Sequence, residues 1–208
     1  MSFLMAVLLS LLPQQPGLPD IVDGVVRTYS KMNDFSAEFE QTTQDISNQR
    51  HTYRGLLYLK SGKKMLLEQT VPDHKFLYSD GKWATDYKVG LQAERTPVGK
   101  TDDERLQLFQ IPWNPEWKNQ FDPIDEPSNE RPTTAGHRLV RLFPKKKDLP
   151  VILLEVDPKT FLIHRFRTTS PDGEINEFSF KGIKTTRLDP SIFEFKAPPG
   201  VEVIENKR

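Results

Sequence analysis

The sequence predicts an α+β domain, one long antiparallel sheet with helices on one side. Three observations carry that reading. A helical stripe of apolar residues comes early, period-2 segments separated by turn signals fill most of the remaining chain, and several of those segments are apolar on both faces. At 208 residues, with 36% hydrophobic and 28% charged residues, the chain can bury a sizeable core, and one domain over 18–208 is the expectation. Formal net charge is zero, so no strong field points to nucleic acid.

Taken in order, the chain opens on "MSFLMAVLLSLLPQQPG". The apolar run Phe3 to Leu12 is too short to span a bilayer and has the length of a signal-peptide core. Residues 1–17 are therefore read as an export signal and linker, and the protein as a soluble exported passenger, expected to be a monomer. There is no cysteine. This excludes disulfide scaffolds, thiolate catalysis, cysteine metal sites and lipid anchoring through an N-terminal cysteine.

"LPDIVDGVVRTYSKM" sets Ile21, Val22, Val25, Val26, Tyr29 and Met32 on one helical stripe, with Pro19 early enough for a first turn. "DFSAEFEQTTQD" then alternates Phe35, Ala37 and Phe39 against Ser36, Glu38 and Glu40, the pattern of a half-buried strand. Further strands are expected near 51–60, 64–70, 75–79, 83–88 and 91–96, and Asp80-Gly81 has the form of a tight hairpin turn. "TDDERLQLF" reads as a short helix, with Thr101 and Glu104 spaced as a capping box.

The segment "IPWNPEWKNQFDPIDEPSNERP" holds five prolines, which excludes a central strand or an ordinary helix. It is expected to be a long loop, and Trp113, Trp117 and Phe121 make it either a lid or a loop anchored to the core. Strands resume at 138–143, 151–157, 160–169 and 174–183, with Ser170-Pro171-Asp172-Gly173 as a turn between the last two. "LDPSIFEF" reads as a helical turn and "APPGVEVI" as a final extended tail.

Catalytic patterns are missing. His51, His74, His137 and His164 show no metal-ligand spacing, so a zinc site would have to be assembled wholly by the fold, and no metal or cofactor is expected. No G-x-S-x-G elbow occurs. A hydrolase using Asp102 and histidines gathered by the fold is the weakest of three readings. The unusual feature is instead the surplus of large side chains on the strands: "GLLYLKSGKKMLLEQ" has apolar residues at both parities, so both faces of that hairpin must be covered or used. A sheet curved into an incomplete barrel would have a concave side able to hold an apolar ligand.

The order of these features resembles the periplasmic outer-membrane lipoprotein carrier (LolA) family. The matching stretches are "FSAEFEQ", "GLLYLKSGKKMLLEQTVPDHKFLYSDGKWATDY", "DPKTFLIHRFRTTSPDGEINEFSFKGI" and "FEFKAPPGVEVI". The resemblance implies an unclosed antiparallel β half-barrel with helices covering its concave hydrophobic face. It also implies a carrier without catalytic activity that shuttles acylated lipoproteins from an inner-membrane releasing complex to an outer-membrane receptor. On this reading Phe39, Tyr58, Met65, Leu67, Phe76, Tyr78, Trp83 and Phe109 line the cavity. Ser61-Gly62 stands where the family often has a basic turn, so Lys60, Lys63 and Lys64 become the candidates for partner contact. The alternative is a lipid- or lipoprotein-sensing module of the same fold.

Overall fold

The computed structural model describes residues 16–101, 104–109 and 111–206; the expected export signal lies outside them. Helix α1 (Leu18–Lys31) follows the apolar stripe: Ile21, Val22, Val25 and Tyr29 are buried, and Gly17 N–H donates to Asp20 at its start. The strands are β1 (Asp34–Gln44), β2 (Arg50–Lys60), β3 (Lys64–Val71), β4 (Lys75–Asp80), β5 (Trp83–Lys88) and β6 (Ala93–Pro97). After the short helix α2 (Glu104–Leu108) come β7 (Phe121–Asp125), β8 (Arg138–Pro144), β9 (Val151–Val156), β10 (Ile163–Thr169), β11 (Ile175–Lys184) and β12 (Val203–Glu205).

All twelve belong to one sheet, in the order β12-β6-β5-β4-β3-β2-β1-β11-β10-β9-β8-β7. Neighbours run antiparallel except β12, which lies parallel to β6. The sheet is unclosed, because β12 and β7 stand at opposite edges. It wraps one apolar interior, filled from α1 by Ile21 and Val25, from β1–β4 by Phe35, Leu57, Met65 and Leu77, and from β8–β11 by Val140, Leu154, Phe166 and Phe178.

Local chemistry fixes the register. Gly55 faces Phe39 of β1, and a Cβ there would lie 1.7 Å from the Glu68 carbonyl oxygen, so the backbones of β2 and β3 approach as only glycine allows. A register shift between Arg54 and Gly55 marks the same point. In the expected Asp80-Gly81 turn, Gly81 adopts φ 93°, and Asp80 Oδ1 accepts from the N–H groups of Lys82 and Trp83, both at 2.7 Å.

Two segments carry more structure than their sequences advertise. The proline-rich stretch is not all loop: 3-10 turns occupy Ile111–Trp113 and Trp117–Gln120, and β7 then pairs with β8. Pro123 is tolerated in β7 because that strand is the sheet edge and needs only one row of partners. The α2 helix starts at Glu104; Asp102 and Asp103, between it and the expected cap at Thr101, lie outside the described residues.

The C-terminal segment also returns to the sheet. A 3-10 turn at Pro190–Phe193, begun by Asp189 accepting from Ser191 N–H, packs against β3 and β4 on the face away from α1, and β12 then pairs with β6. Phe193 is fully buried there, outside the main core cluster. Truncating it opens a cavity under this cover. Phe193→Ala is expected to cost about 3–5 kcal/mol in urea unfolding; a loss below about 1 kcal/mol would show that the C-terminal cover is not integral to the fold.

Candidate apolar site under the concave face

Side-chain parity sorts the residues expected at the cavity into two groups. Opposed residues share a face, so the register pairs Ala37 with Leu57, Leu57 with Leu67, and Leu67 with Leu77 on the inner side. Met65 and Leu67 are on that inner face, as is Phe39, and Phe109 reaches it from just beyond α2; all four are buried in one cluster. Phe109 stands edge-on to Phe178 at 4.8 Å between ring centroids and also contacts Phe180.

Tyr58, Phe76, Tyr78 and Trp83 are placed on the opposite, convex face, which corrects the expectation that they line the concavity. Their parity forces this: Tyr58 opposes Leu66, Phe76 opposes Tyr87, and Tyr78 opposes Thr85. Phe76 stacks with Tyr78 and Tyr87, and Phe195 of the C-terminal segment lies 5.4 Å from both tyrosines. What covers the second face of the apolar hairpin region is therefore the chain's own C-terminus. A groove of about 400 Å³ remains between it and the strands, where Arg95 sits over the Trp83 ring at 4.3 Å.

The concave face is covered by α1 and by the segment from Glu104 to Phe121. Tyr29 meets Trp113 edge-to-face at 5.1 Å, Trp113 Nε1–H donates to the Met32 carbonyl at 2.8 Å, and Lys118 pairs with Asp23 of α1 at 2.6 Å. Trp117 and Phe121 are buried in the core. Between this cover and the sheet, the space bounded by Leu57, Leu59, Leu108 and Phe109 is about 20 Å³, and a second void beside Trp117 is about 10 Å³. Each is at most the size of one water, whereas a ligand pocket needs roughly 300 Å³ or more. The interior is apolar and closed. A wider concavity of about 750 Å³ beside the end of α1 is open and mixed in character, with Met32 and Leu162 beside the charged Lys31, Asp34, Lys60 and Arg187.

The candidate partner lysines differ from one another. Lys60 is held by Asp34 across β1–β2 at 2.5 Å and is largely covered. Lys64 opposes Asp80, and Lys63 is exposed at the turn with φ 63°.

Sequence reasoning missed a second cluster, on the convex face of β8–β10. Glu155 is completely buried there. Its carboxylate accepts from the Thr133 and Thr134 N–H groups at 2.9 and 3.0 Å, from the Thr133 hydroxyl, and from Arg165 Nε at 3.1 Å. His137 Nδ1 lies 3.1 Å from the same carboxylate. Arg165 also pairs with Glu130 and Glu177, and Arg167 with Glu130. Burial alone would raise the Glu155 pKa, but the hydrogen bonds from Thr133 and Thr134 and the Arg165 charge outweigh it and hold the carboxyl below its ordinary value. Glu130 behaves likewise through Arg167 and Arg165. Only the acid in the apolar run "VILLEV" hinted at this, since its partners are remote in sequence.

The sequence and the fold have known relatives. The family model for the outer membrane lipoprotein carrier protein LolA matches residues 30–196. The chain belongs to the LolA family. An outer-membrane lipoprotein carrier protein of Proteus mirabilis (strain HI4320) is 27% identical over 205 residues, covering 96% of this chain and 95% of the relative. One of Haemophilus influenzae (strain PittEE) is 24% identical, covering 92% and 90%. Among solved structures, an uncharacterized conserved protein from Thermus thermophilus superposes with a TM-score of 0.55 at 14% identity over 90% of this chain and 98% of that one, a likeness of fold. The unclosed antiparallel sheet is thus that of the LolA-family fold, and no helix among the described residues is long and apolar enough to cross a membrane.

The depressed carboxyls give this LolA-family fold a defined acid limit. A group with a folded pKa below its unfolded value stabilises above the unfolded value, 4.5 for Glu155 and Glu130, and that stability is lost as pH falls below it. Urea midpoints are expected to drop as pH falls below about 4.5. In Glu155→Gln the protein is weaker at neutral pH, because Arg165 loses a buried partner, and the drop is shallower. An unchanged slope would show that Glu155 does not titrate with folding.

Proposed function

We propose that this chain carries the acyl chains of lipoproteins across the periplasm, sheltering them between the concave sheet face and the Glu104–Phe121 segment. Cargo is received from an inner-membrane releasing complex and passed to an outer-membrane receptor. The observation that carries this reading is the interior itself: an apolar face running across both halves of the sheet, from Met65 and Leu67 to Leu154 and Phe178, and closed by a cover of short turns.

Physical chemistry favours displacement of that cover rather than of the sheet. Each acyl methylene removed from water is worth about 0.8 kcal/mol, so a long chain can repay the exposure of several lid side chains. The cover is made of α2 and two 3-10 turns interrupted by Pro112 and Pro115, so it has few internal backbone bonds to lose. The buried Trp117 indole N–H has no hydrogen-bond partner among the described residues. A buried unpaired donor costs about 1–3 kcal/mol, which lowers the stability of the closed arrangement relative to an open one. The tethers to α1, Trp113 to Met32 and Lys118 to Asp23, oppose opening. Phe39, Met65, Leu67 and Phe109 are the residues that an acyl chain would meet.

Two substitutions separate this site from the convex face. Phe109→Ala removes a ring that fills the interior and favours the open, binding-competent arrangement, so a synthetic diacylated lipopeptide should bind about fivefold tighter while unfolding stability falls. Tyr58→Ser, on the other face, leaves affinity within about twofold. Calorimetry or intrinsic tryptophan fluorescence reads both. Failure of the unsubstituted protein to bind the lipopeptide, or to release lipoprotein from inner-membrane vesicles containing the releasing complex, would overturn the carrier reading.

A further inference from the structure

We propose that His137, Asp157 and His164 form a divalent transition-metal site, suited to Zn²⁺, beside the β9–β10 turn that seats α1. The ligand atoms these residues offer all lie within 4.8 Å of one another, and the two imidazole centroids are 4.6 Å apart. The donor set of two imidazoles and one carboxylate, with solvent completing the coordination, is one that Zn²⁺ accepts readily.

Each ligand is positioned by its surroundings. His137 Nδ1 hydrogen-bonds the buried Glu155 carboxylate, which leaves the Nε2 lone pair free to bind a metal; a carboxylate behind a ligating histidine is the usual orienting arrangement. His164 is the extra residue of a β-bulge: β10 pairs Ile163 with Val156 and Arg165 with Glu155, and His164 falls between them. Bulges redirect side chains, and this one brings His164 beside His137. Asp157 is fixed at the end of β9, where its two oxygens accept from Lys159 N–H at 2.9 Å and the Thr160 hydroxyl at 2.8 Å. Each oxygen retains a second lone pair for a cation.

The position in the fold gives the site a consequence. Asp157 opens the turn to β10, and that turn seats α1: Phe161 packs where Gly24 has no side chain, Ile163 N–H donates to the Tyr29 hydroxyl at 3.0 Å, and the Thr28 hydroxyl reaches the Thr160 carbonyl. A metal joining this turn to the residue preceding β8 would brace the seat of α1. The site lies apart from the concave interior, so it stands or falls independently of the carrier function.

The test uses the full chain without a histidine tag, stripped with a chelator and titrated with Co²⁺ as a spectroscopic probe, then with Zn²⁺. Expected is about one equivalent bound, with visible ligand-field bands of a four- or five-coordinate ion that Zn²⁺ abolishes, and a melting temperature that rises with Zn²⁺. His164→Gln and Asp157→Asn, both near-isosteric, should each weaken Zn²⁺ binding by at least about tenfold, with circular dichroism confirming that the variant used is folded. His51→Gln and His74→Gln, at exposed positions away from the cluster, should leave it unchanged. No ligand-field spectrum at millimolar Co²⁺, or equal affinity in the folded His164→Gln or Asp157→Asn protein, would overturn the proposal.

Discussion

The pleat of a single sheet is the constraint on which the rest of the structure depends. Successive side chains must point to opposite faces, and a sheet of twelve strands, several of them apolar at both parities, presents two surfaces that water would penalise. One surface curls around α1 and becomes the interior. The other needs separate covers, and the chain supplies them unevenly: the C-terminal turn and Phe195 lie over β3–β5 before β12 joins the sheet edge at β6, and the residues around Thr133 and His137 lie over β8–β10. Two very different chemistries result on the same convex face. Over β3–β6 the contact is aromatic, through Phe193 and Phe195; over β9–β10 it is ionic, centred on Glu155 and Arg165.

This division explains what could be read in the sequence. Strand positions were legible because each has its own periodicity and is bounded by turn residues such as Asp80-Gly81, whose geometry is local. The face of a given aromatic was not legible in the doubly apolar strands. Around Tyr58, Leu56, Leu57 and Leu59 are apolar on either side, so periodicity cannot say which of them points inward. Register decides it, through a chain of pairings from Ala37 to Leu57 to Leu67 to Leu77, and register is a property of neighbouring strands. The polar cluster escaped for a related reason. Glu155, Arg165, Thr133 and His137 come from separate segments, and only the folded arrangement of β8, β9 and β10 brings them together.

The two covers also differ in what it would cost to remove them. Lifting the C-terminal segment exposes Phe193 and breaks the pairing of β12 with β6, so that cover is part of the sheet. Lifting Glu104 to Phe121 exposes apolar side chains of similar size, but α2 and the two 3-10 turns sit on the interior without extending the ladder until β7 begins. Backbone pairing thus ties one cover to the sheet, while side-chain packing and a few tethers to α1 hold the other.

This asymmetry makes the concave side, and not the convex groove, the better place for a flexible apolar guest. The convex groove is bounded by paired backbone and by Arg95 over Trp83, with polar neighbours such as Asp80 and Glu205 along its wall. A hydrocarbon placed there would gain contact with rings on one side while desolvating charged groups on another, which offsets much of the benefit. On the concave side the groups that would line the guest are carbon-rich, and the interior has almost no free space in its closed form. For the proposed acyl guest, room there would have to come from moving the cover, so entry would be coupled to the exposure of lid side chains and release to their return. Under the proposed function, that coupling would let a tightly closed interior and a reversible carrier be the same molecule: the side chains that fill the space without cargo would compete with the cargo for it, which would limit how tightly it is held.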